Sequence, residues 1–419
     1  MIEIAPTQLT DHRIELPGSK SYTHRAVIAA ALSNGSCRVA GGLDSEDTRL
    51  TRKALKMMGI AMEADGGIWQ IEGADGCLQP CAEPIHLQNS GTSMRLLTAV
   101  AAMGQGEYLL TGTGRMQQRP MGHLLTALKQ AGCPARAVHG NDCPPVVIPG
   151  GTAGGGRVEI DCSVSSQYLS GLLLLAPRVH RGMQIQVTRG PVSKPYINLT
   201  LDMLQRFGVE VQRDGYCYFD VPGGQTYQAH DLTVEPDASN AGYFWAVAAV
   251  SGGSVTVKGL TLQSLQGDVR FVRVLEKMGC RLEEVKGEIT VTGGPLSGIE
   301  VDMAHMPDLV PTLAVVAAFA KGTTRIVNVA HLRAKECDRL AATVEGLLRM
   351  GIRAAEVGDT LTIVGGRPHG ATIDTHDDHR MAMSFAVAGV KIPGVMIKGE
   401  DCVEKSFPKF WDVFNQLYR

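Results

Sequence analysis

The chain repeats one pattern six times, and this repeat limits its possible folds more than any other feature. Each copy has an apolar run, a glycine turn and a strand-like stretch, and the glycines are spaced by 71, 76, 71, 69 and 72 residues. A fixed period of this length is typical of a supersecondary unit that buries its apolar face against its neighbours. The apolar runs are Ala26–Leu32, Leu96–Met103, Leu169–Ala176, Tyr243–Val250, Leu313–Ala320 and Met383–Val390. We therefore expect six copies of one unit.

A second marker runs in step with the first. Five amphipathic segments each end in a glycine that opens a short strand, and these glycines are spaced by 73, 76, 71 and 72 residues. A glycine at the end of a helix suits the left-handed conformation that closes many helices. The glycines are Gly59, Gly132, Gly208, Gly279 and Gly351, and a sixth copy, residues 410–417, ends the chain. The unit is therefore predicted to contain two helices and several strands.

Length, charge and cysteine content narrow the class of protein. With 419 residues, two domains of three repeats each are expected, and the segment Gln228–Pro236 is a natural place for the chain to change domains. A net charge of −2 argues against a general nucleic-acid binder, and no apolar run approaches the ~20 residues of a membrane helix. Met1–Ile4 has no signal-peptide character, and ten scattered cysteines suggest reduced thiols. We expect a cytoplasmic protein that binds neither nucleic acid nor membrane.

One cysteine pair could suggest a metal site. Cys77 and Cys81 lie close to His86, but no second ligand pair follows at zinc spacing. Ordinary thiols are the better interpretation, and no metal is expected.

The residues before each apolar run carry the chemistry. Helix starts expose free N–H groups and the positive end of the helix dipole, so they are ready sites for anions. Lys20 and Arg25 accompany hydroxyl residues in the first repeat, and Arg95 closes the second segment. The third segment offers hydroxyl and amide groups without charge, and the segments of the second half carry carboxylates, with Arg380 beside Asp378 in the last. Cations suit phosphate and carboxylate ligands, whereas carboxylates among cations suit proton transfer. Any one of these residues alone is better read as a helix cap or a surface charge, and only their recurrence indicates function.

Seven motifs in order along nearly the whole chain resemble one family. They are Leu-Pro-Gly-Ser-Lys-Ser (16–21), Asn-Ser-Gly-Thr-Ser-Met-Arg (89–95), Arg-Met-Gln-Gln-Arg-Pro (115–120), Ser-Val-Ser-Ser-Gln-Tyr (163–168), Ser-Lys-Pro-Tyr-Ile (193–197), Lys-Glu-Cys-Asp-Arg-Leu (335–340) and Asp-His-Arg-Met-Ala-Met (378–383). Together they look like the 5-enolpyruvylshikimate-3-phosphate (EPSP) synthase family. The resemblance implies transfer of the enolpyruvyl group of phosphoenolpyruvate to the 5-hydroxyl of shikimate 3-phosphate, with release of phosphate, in the shikimate pathway of aromatic amino-acid biosynthesis.

The resemblance also implies an architecture. It is an α/β (α+β) fold of two similar domains, each made of three βαβαββ units in an inverse α/β barrel-like arrangement, with the active site in the interdomain cleft. We expect one domain to be 1–18 plus 235–419 and the other to be 19–234.

Residue roles follow from the resemblance position by position. The catalytic set implied is Asp308 as base, Glu336 as proton donor to the methylene carbon, Lys20, Lys335 and, more weakly, His379. The shikimate 3-phosphate set is Lys20, Ser21, Arg25, Ser165, Ser166, Gln167, Ser193, Tyr196, Asp308, His331 and Lys335. The phosphoenolpyruvate set is Lys20, Asn89, Gly91, Thr92, Arg119, Gln167, Arg339, Arg380 and Lys405.

Charge balance fits these roles. The two substrates bring two phosphates and two carboxylates together, and we expect seven cations from both halves to offset the repulsion once the domains close. The leaving phosphate is already activated, so no cofactor is expected. Gly91 leaves the room that goes with inhibition by glyphosate in this family, and a monomer is expected. Two positions depart from the family pattern, His331 in place of Asn and Leu96 in place of Pro.

Two alternatives remain open at this point. The related transferase that acts on UDP-N-acetylglucosamine shares the repeat, but it would be expected to carry a reactive cysteine in a mobile loop and Lys-Asn in place of Lys20-Ser21. A six-unit ring such as a DNA sliding clamp would instead spread Lys and Arg over its inner helix faces.

Overall fold

The chain forms two compact units. A computed structural model describes residues 1–418. Contacts between Cα atoms group Gly18–Val234 into one unit, here called the middle unit. Met1–Pro17 joins the chain from Glu235 onward in the other, here called the terminal unit. The chain thus leaves the terminal unit after Pro17 and returns to it at Glu235. In the described part of the chain, no helix is both long and apolar enough to cross a membrane.

The terminal unit begins with two short strands, β1 (Ile2–Ile4) and β2 (Asp11–Ile14). The chain then enters the middle unit. Its helices and strands follow in the order α1 (Lys20–Leu32), β3 (Ser36–Ala40), α2 (Glu46–Met57), β4 (Met62–Asp65), β5 (Ile68–Glu72), β6 (Ile85–His86), α3 (Gly91–Ala101), β7 (Glu107–Thr111), α4 (Gly122–Gln130), β8 (Arg136–Ala137), β9 (Val146–Pro149), β10 (Gly156–Asp161), α5 (Gln167–Leu175), β11 (Met183–Arg189), α6 (Lys194–Arg206), β12 (Gln212–Asp214), β13 (Tyr218–Val221) and β14 (Leu232–Thr233).

Three four-stranded sheets of the middle unit share one topology. Their strand orders are β14-β3-β5-β4, β6-β7-β9-β8 and β10-β11-β13-β12. In each sheet the first two strands are parallel and the others pair antiparallel, as the register of Val158 with Ile185 and of Ile185 with Phe219 illustrates. The first repeat takes its edge strand from the far end of the unit, where Leu232 lies opposite Val39. Each repeat is therefore one βαβαββ unit.

The rest of the chain completes the terminal unit. Its elements are α7 (Ala238–Ser251), β15 (Ser254–Lys258), α8 (Phe271–Met278), β16 (Arg281–Val285), β17 (Glu288–Thr292), β18 (Glu300–Asp302), α9 (Val310–Ala318), β19 (Thr323–Val327), α10 (Arg339–Arg349), β20 (Arg353–Val357), β21 (Thr360–Val364), β22 (Thr372–Asp374), α11 (His379–Gly389), β23 (Val395–Lys398) and α12 (Phe410–Phe414).

The N-terminal strands complete two sheets of the terminal unit. The strand orders are β2-β15-β17-β16, β18-β19-β21-β20 and β22-β23-β1. Strand β2 lies parallel to β15, as the first strand of the fourth repeat. The sixth repeat differs from the others because its sheet has three strands, and β1, antiparallel to β23, occupies the place that a hairpin strand has elsewhere.

The apolar runs form the buried helices of each unit. In α7, every residue from Ala238 to Val250 is buried, and α9 is buried along its whole length. A helix that is apolar all round belongs inside a core, whereas the second helix of each repeat is amphipathic and covers it. The glycines that end those second helices have positive φ, for example +90° at Gly59 and +77° at Gly351. The predicted mixed α/β fold of repeated units is confirmed.

Candidate functional site

The first helix of the middle unit presents a buried cation at its start. Ser19 caps α1, accepting a hydrogen bond from the N–H of Tyr22, and Lys20 is the first helical residue. The Lys20 ammonium lies 3.0 Å from Oδ2 of Asp47, with side chains only 11% and 2% exposed. Asp47 stands in the first turn of α2, where a carboxylate also complements the helix dipole. The ion pair therefore fixes the ammonium group between two helix starts.

Arg25 lies one turn further along α1 and is enclosed by oxygen atoms that carry no full charge. Its Nε donates to the Thr200 hydroxyl at 2.7 Å, and its Nη atoms donate to Ser170 and to the carbonyls of Ser21 and Tyr196. Burial lowers the pKa of Arg25 to about 10, so the side chain stays protonated near neutral pH. A buried cation bonded in this way favours an anionic ligand.

The start of α3 brings two arginines against a glycine. Arg119 donates to the carbonyl and to the side-chain oxygen of Asn89, at 3.0 and 3.2 Å. Arg95 donates to the Gly91 carbonyl at 3.2 Å. A Cβ atom on Gly91 would lie 2.5 Å from Nη2 of Arg119 and 2.6 Å from Nη1 of Arg95. Only glycine leaves these guanidinium groups where they stand.

The remaining predicted residues of the middle unit lie at the starts of α5 and α6. Gln167, the first residue of α5, donates through its amide to the Thr92 hydroxyl at 3.0 Å, which joins it to the start of α3. Its backbone N–H donates to Ser165, and Ser166 occupies the N-cap position. Ser193 precedes α6 with φ of +53°, and it is almost fully buried. Non-glycine residues hold this left-handed conformation rarely, and such sites are often functional.

In the terminal unit, one buried arginine gathers three carboxylates. Arg339 is the first residue of α10 and its side chain is 1% exposed. Its Nε lies 2.7 Å from Oδ2 of Asp378, its Nη1 lies 2.9 Å from Oδ1 of Asp308, and its Nη2 lies 2.9 Å from Oε2 of Glu336. The predicted base and the predicted acid therefore share one guanidinium group.

A second buried arginine holds the other side of the predicted base. Arg380 Nη2 lies 2.8 Å from Oδ2 of Asp308, and Nη1 donates to the Tyr243 hydroxyl at 2.8 Å. Asp378, the N-cap of α11, accepts a bond from the backbone N–H of Arg380. Asp308 thus bridges two guanidinium groups, and this arrangement stabilises its carboxylate form.

Burial and charge set the protonation states around Asp308. Burial lowers the pKa of Arg339, but Asp378, Glu336 and Asp308 together raise it well above its usual value. The same balance, with Tyr243 and Asp308 as the main partners, raises the pKa of Arg380. Burial, followed by the charge of Lys335, lowers the pKa of His331 to about 3, so this ring is neutral at physiological pH.

The other predicted residues of the terminal unit lie in turns or at a helix start. His331 lies in the 3₁₀ turn Ala330–Ala334, and Lys335 directly follows that turn. Lys405 ends the turn Glu400–Lys405 and is buried. His379 begins α11, with its Nδ1 3.5 Å from Oδ1 of Asp378. Asp308 lies in the turn that leads into α9.

The predicted sets of catalytic and binding residues leave out three residues that contact members of those sets. Asp47, Asp378 and Tyr243 contact Lys20, Arg339 and Arg380 respectively. Asp47 and Asp378 lie at helix starts, where an acidic residue is ordinarily read as a cap. Tyr243 is the first residue of an apolar run, a position that predicts a core residue. Asp378 lies within a predicted site motif, whereas nothing in the sequence distinguishes Asp47 or Tyr243 from ordinary cap and core residues.

Asp268 is a further buried carboxyl group, and the charge of Asp308 affects its protonation. Asp268 bonds the Ser239 hydroxyl, and burial together with the charge of Asp308 raises its pKa to about 7. Within residues 1–418, no group of three or more His, Cys, Asp or Glu side chains could hold a metal ion.

Comparison with known proteins defines first a class and then a family. The enolpyruvyl transferase NikO from Streptomyces tendae shares the fold, with a TM-score of 0.79 at 20% identity over 99% of this chain and 96% of that one. EPSP synthase from Acinetobacter baumannii has a TM-score of 0.83 at 28% identity, covering 99% and 97% of the two chains. The fold is therefore that of the enolpyruvyl transferases.

Sequence matches are more specific. Residues 4–414 match the family described as EPSP synthase (3-phosphoshikimate 1-carboxyvinyltransferase). A 3-phosphoshikimate 1-carboxyvinyltransferase of Methanospirillum hungatei is 42% identical over 96% of this chain and 95% of its own length. One of Photobacterium profundum is 41% identical over 99% and 98%. The chain belongs to the EPSP synthase family, which confirms the resemblance seen in its motifs.

Proposed function

We propose that this chain transfers the enolpyruvyl group of phosphoenolpyruvate to the 5-hydroxyl of shikimate 3-phosphate and releases phosphate. Family membership and the names of the relatives support this reaction over the UDP-N-acetylglucosamine alternative. The chain carries Lys20-Ser21 where that alternative would be expected to carry Lys-Asn.

Addition is the first half of the proposed reaction. Asp308 accepts the proton of the 5-hydroxyl as that oxygen attacks C2 of phosphoenolpyruvate. Glu336, in its protonated form, gives a proton to C3, which becomes a methyl group. The product of this half is a tetrahedral adduct in which C2 still carries the phosphate.

Elimination is the second half. Glu336 takes a proton back from the methyl group as the bond between C2 and the phosphate oxygen breaks. The departing phosphate takes up the proton that Asp308 received, so both side chains return to their starting forms. Each of the two carboxyl groups thus acts once as a proton donor and once as a proton acceptor in a turnover.

One observation carries this assignment: Asp308 and Glu336 are both bonded to the guanidinium group of Arg339. A carboxylate held by two arginines is a weak base, because both cations favour its ionised form. We infer that the carboxylate and phosphate of phosphoenolpyruvate draw Arg339 and Arg380 towards themselves. Asp308 then loses part of its stabilisation and becomes a stronger base only when substrate is present.

Substrate binding in the middle unit follows the same reasoning. We propose that Lys20, Ser21, Arg25, Ser165, Ser166, Ser193 and Tyr196 hold shikimate 3-phosphate, and the buried, protonated Arg25 supports a phosphate ligand. Asn89, Gly91, Thr92, Arg119 and Gln167 would hold phosphoenolpyruvate with Arg339, Arg380 and Lys405. His331 is a further candidate contact of shikimate 3-phosphate, and Lys335 supports the attacking hydroxyl.

Phosphate release tests the reaction directly. Mixing the protein with phosphoenolpyruvate and shikimate 3-phosphate should release phosphate, while UDP-N-acetylglucosamine in place of shikimate 3-phosphate should release none. The reverse pattern would support the alternative transferase, and no release with either acceptor would contradict both.

Three finer properties belong to the same proposal. Glyphosate should inhibit in competition with phosphoenolpyruvate, because glycine at position 91 leaves the guanidinium groups of Arg119 and Arg95 in place, where a Cβ atom would clash with both. The protein should act as a monomer in the cytoplasm, where its ten free cysteines stay reduced. Inhibition that does not compete with phosphoenolpyruvate, or a dimer by analytical ultracentrifugation, would contradict the corresponding part.

A further inference from the structure

Several buried polar side chains of the middle unit are linked by close polar contacts, and they are here called the polar network. It joins three helices of the middle unit and contains Lys20 and His24 of α1, Asp47 and Thr51 of α2, and Ser93 of α3, with Ser90 just before α3. All six residues are buried. Of these, only Lys20 belongs to the proposed site, so the other five need a different explanation.

Ser93 lies at the centre of the polar network. Its hydroxyl oxygen is 2.7 Å from Oγ of Ser90, 2.8 Å from Oγ1 of Thr51 and 3.2 Å from the backbone carbonyl of Asp47. A serine hydroxyl has one donor and two acceptor positions, so these three contacts use its full capacity. One side chain therefore ties α2 to α3 and to the N-cap residue of α3.

The three contacts of Ser93 set which group donates and which accepts in each hydrogen bond of the polar network. A carbonyl oxygen only accepts, so the Ser93 hydroxyl donates to Asp47. Ser93 must then accept from Ser90 and from Thr51. The Thr51 hydrogen is thereby used, so Thr51 accepts from the His24 ring, whose Nδ1 lies 2.8 Å from its Oγ1. The His24 ring accordingly carries its hydrogen on Nδ1.

We propose that Ser93 is a positioning residue for the transferase reaction, holding the Asp47–Lys20 ion pair at a fixed distance from the Gly91–Thr92 start of α3. Its side chain is fully buried, so it acts through other residues. It acts because it bonds the backbone of Asp47, whose carboxylate lies 3.0 Å from the Lys20 ammonium. The inference rests on the proposed function, in which Lys20 and Gly91 both bind phosphoenolpyruvate.

Nuclear magnetic resonance tests the hydrogen order, meaning the assignment of donor and acceptor in each of these hydrogen bonds, without any substrate. In protein labelled with ¹⁵N at histidine, His24 is expected to show a protonated Nδ1 bonded to Thr51, and Thr51→Val should remove that bond. A His24 ring protonated only on Nε2 would overturn the hydrogen order and with it the role of Ser93. This readout stands even if the protein released no phosphate with shikimate 3-phosphate, which would count against the proposed function alone.

Steady-state kinetics test the positioning role. Ser93→Ala should raise the KM for phosphoenolpyruvate about five- to tenfold and lower kcat by less than threefold. Thr98→Val is the matched control, because Thr98 is a fully buried hydroxyl on the same helix that makes no hydrogen bond within the described chain. Equal effects of the two substitutions would overturn the proposal, since both would then act through packing alone.

A double-mutant cycle separates this route from a general loss of order. If Ser93 acts through Asp47, then Ser93→Ala should change the KM much less in an Asp47→Asn background than in the unaltered protein. If the fold-changes in KM of the two single substitutions simply multiply in the double variant, the proposed route through Asp47 is overturned. Thermal unfolding of each variant shows whether it is folded at the assay temperature.

Discussion

At the residue scale, the proposed acid and the proposed base of the terminal unit contact the same arginine side chain. Asp308 contacts Arg339 and Arg380 and its side chain is 18% exposed, while Glu336 contacts Arg339 and is 9% exposed. The two carboxyl groups thus have different surroundings although they share one partner. Different surroundings are what separates the roles of two carboxyl groups in acid–base catalysis.

Asp308→Asn tests the role of the base. The amide cannot accept a proton from the 5-hydroxyl but keeps the size of the side chain, so kcat should fall by about 10²–10⁴-fold, while KM for either substrate changes little. Stopped assays of phosphate release measure this. Asp302→Asn, an exposed aspartate of the same unit, is the control, and an unchanged kcat for Asp308→Asn would contradict the assignment.

Gly91→Ala tests the geometry of the phosphoenolpyruvate residues. The new methyl group would displace Arg119 and Arg95, so KM for phosphoenolpyruvate should rise about tenfold and inhibition by glyphosate should weaken. Gly114→Ala is the matched control, because a Cβ there meets nothing within 4 Å. Equal KM values for the two variants would contradict the account.

Asp268 predicts how stability depends on pH. Its folded-state pKa of about 7 lies above that of an exposed aspartate, because of burial and the nearby charges of Asp308 and Asp237, although Arg380 and the Ser239 hydroxyl oppose the shift. The folded state then binds a proton that the unfolded state releases. This contribution is fully present below pH ~4 and is lost as pH rises through ~7, by an amount on the order of a few kcal/mol.

Asp268→Asn removes this titration and keeps a partner for Ser239. Urea unfolding between pH 4 and 8 should therefore show that the free energy of unfolding of the variant falls less with rising pH than that of the original protein. Parallel curves for the two proteins would show that Asp268 does not titrate in the folded state in this range.

At the element scale, helix starts position the functional groups. Lys20, Gly91, Gln167, Arg339 and His379 are each the first residue of a helix. The cap residues are therefore part of the site's support. Asp338 is a clear case, because its carboxylate accepts from the N–H groups of Leu340 and Ala341 and so fixes the start of α10.

Asp338→Ala should lower the free energy of unfolding by ~1 kcal/mol, because two backbone N–H groups lose their acceptor. Asp338→Asn keeps an acceptor oxygen and should cost clearly less. Chemical denaturation measures both, and an equal loss for Ala and Asn would argue that charge, through the exposed pair with Arg333, matters more than capping.

The sequence alone was sufficient for the repeated helices, and it indicated Asp308, Glu336 and Arg339, which the structure brings into contact; their roles stay predictions. Apolar runs and terminal glycines mark the helices because both are local signals, read from a few adjacent residues. The strand that β1 adds to the sheet of the sixth repeat could not be predicted in this way, because β1, which pairs with β23, lies almost 400 residues away in the sequence. The same limit applies to Asp47 and Asp378, whose partners are set by packing between helices and not by spacing.

At the scale of the whole molecule, the residues proposed to act in the transfer belong to two units of the chain. The middle unit is one continuous segment, whereas the terminal unit needs β1 and β2 from the N-terminus to complete two of its sheets. The cations proposed to bind phosphoenolpyruvate come from both units: Lys20 and Arg119 from one, and Arg339, Arg380 and Lys405 from the other. The central claim is that both sets are needed for the same ligand.

Calorimetric titration of phosphoenolpyruvate in the presence of shikimate 3-phosphate tests this claim most directly. Arg119→Lys and Arg380→Lys each keep the charge but lose the forked contacts of arginine, so each should weaken binding about tenfold, or ~1.4 kcal/mol. Arg157→Lys and Arg353→Lys, exposed arginines of the two units, should leave binding unchanged. Unchanged affinity in either Arg119→Lys or Arg380→Lys would contradict the account.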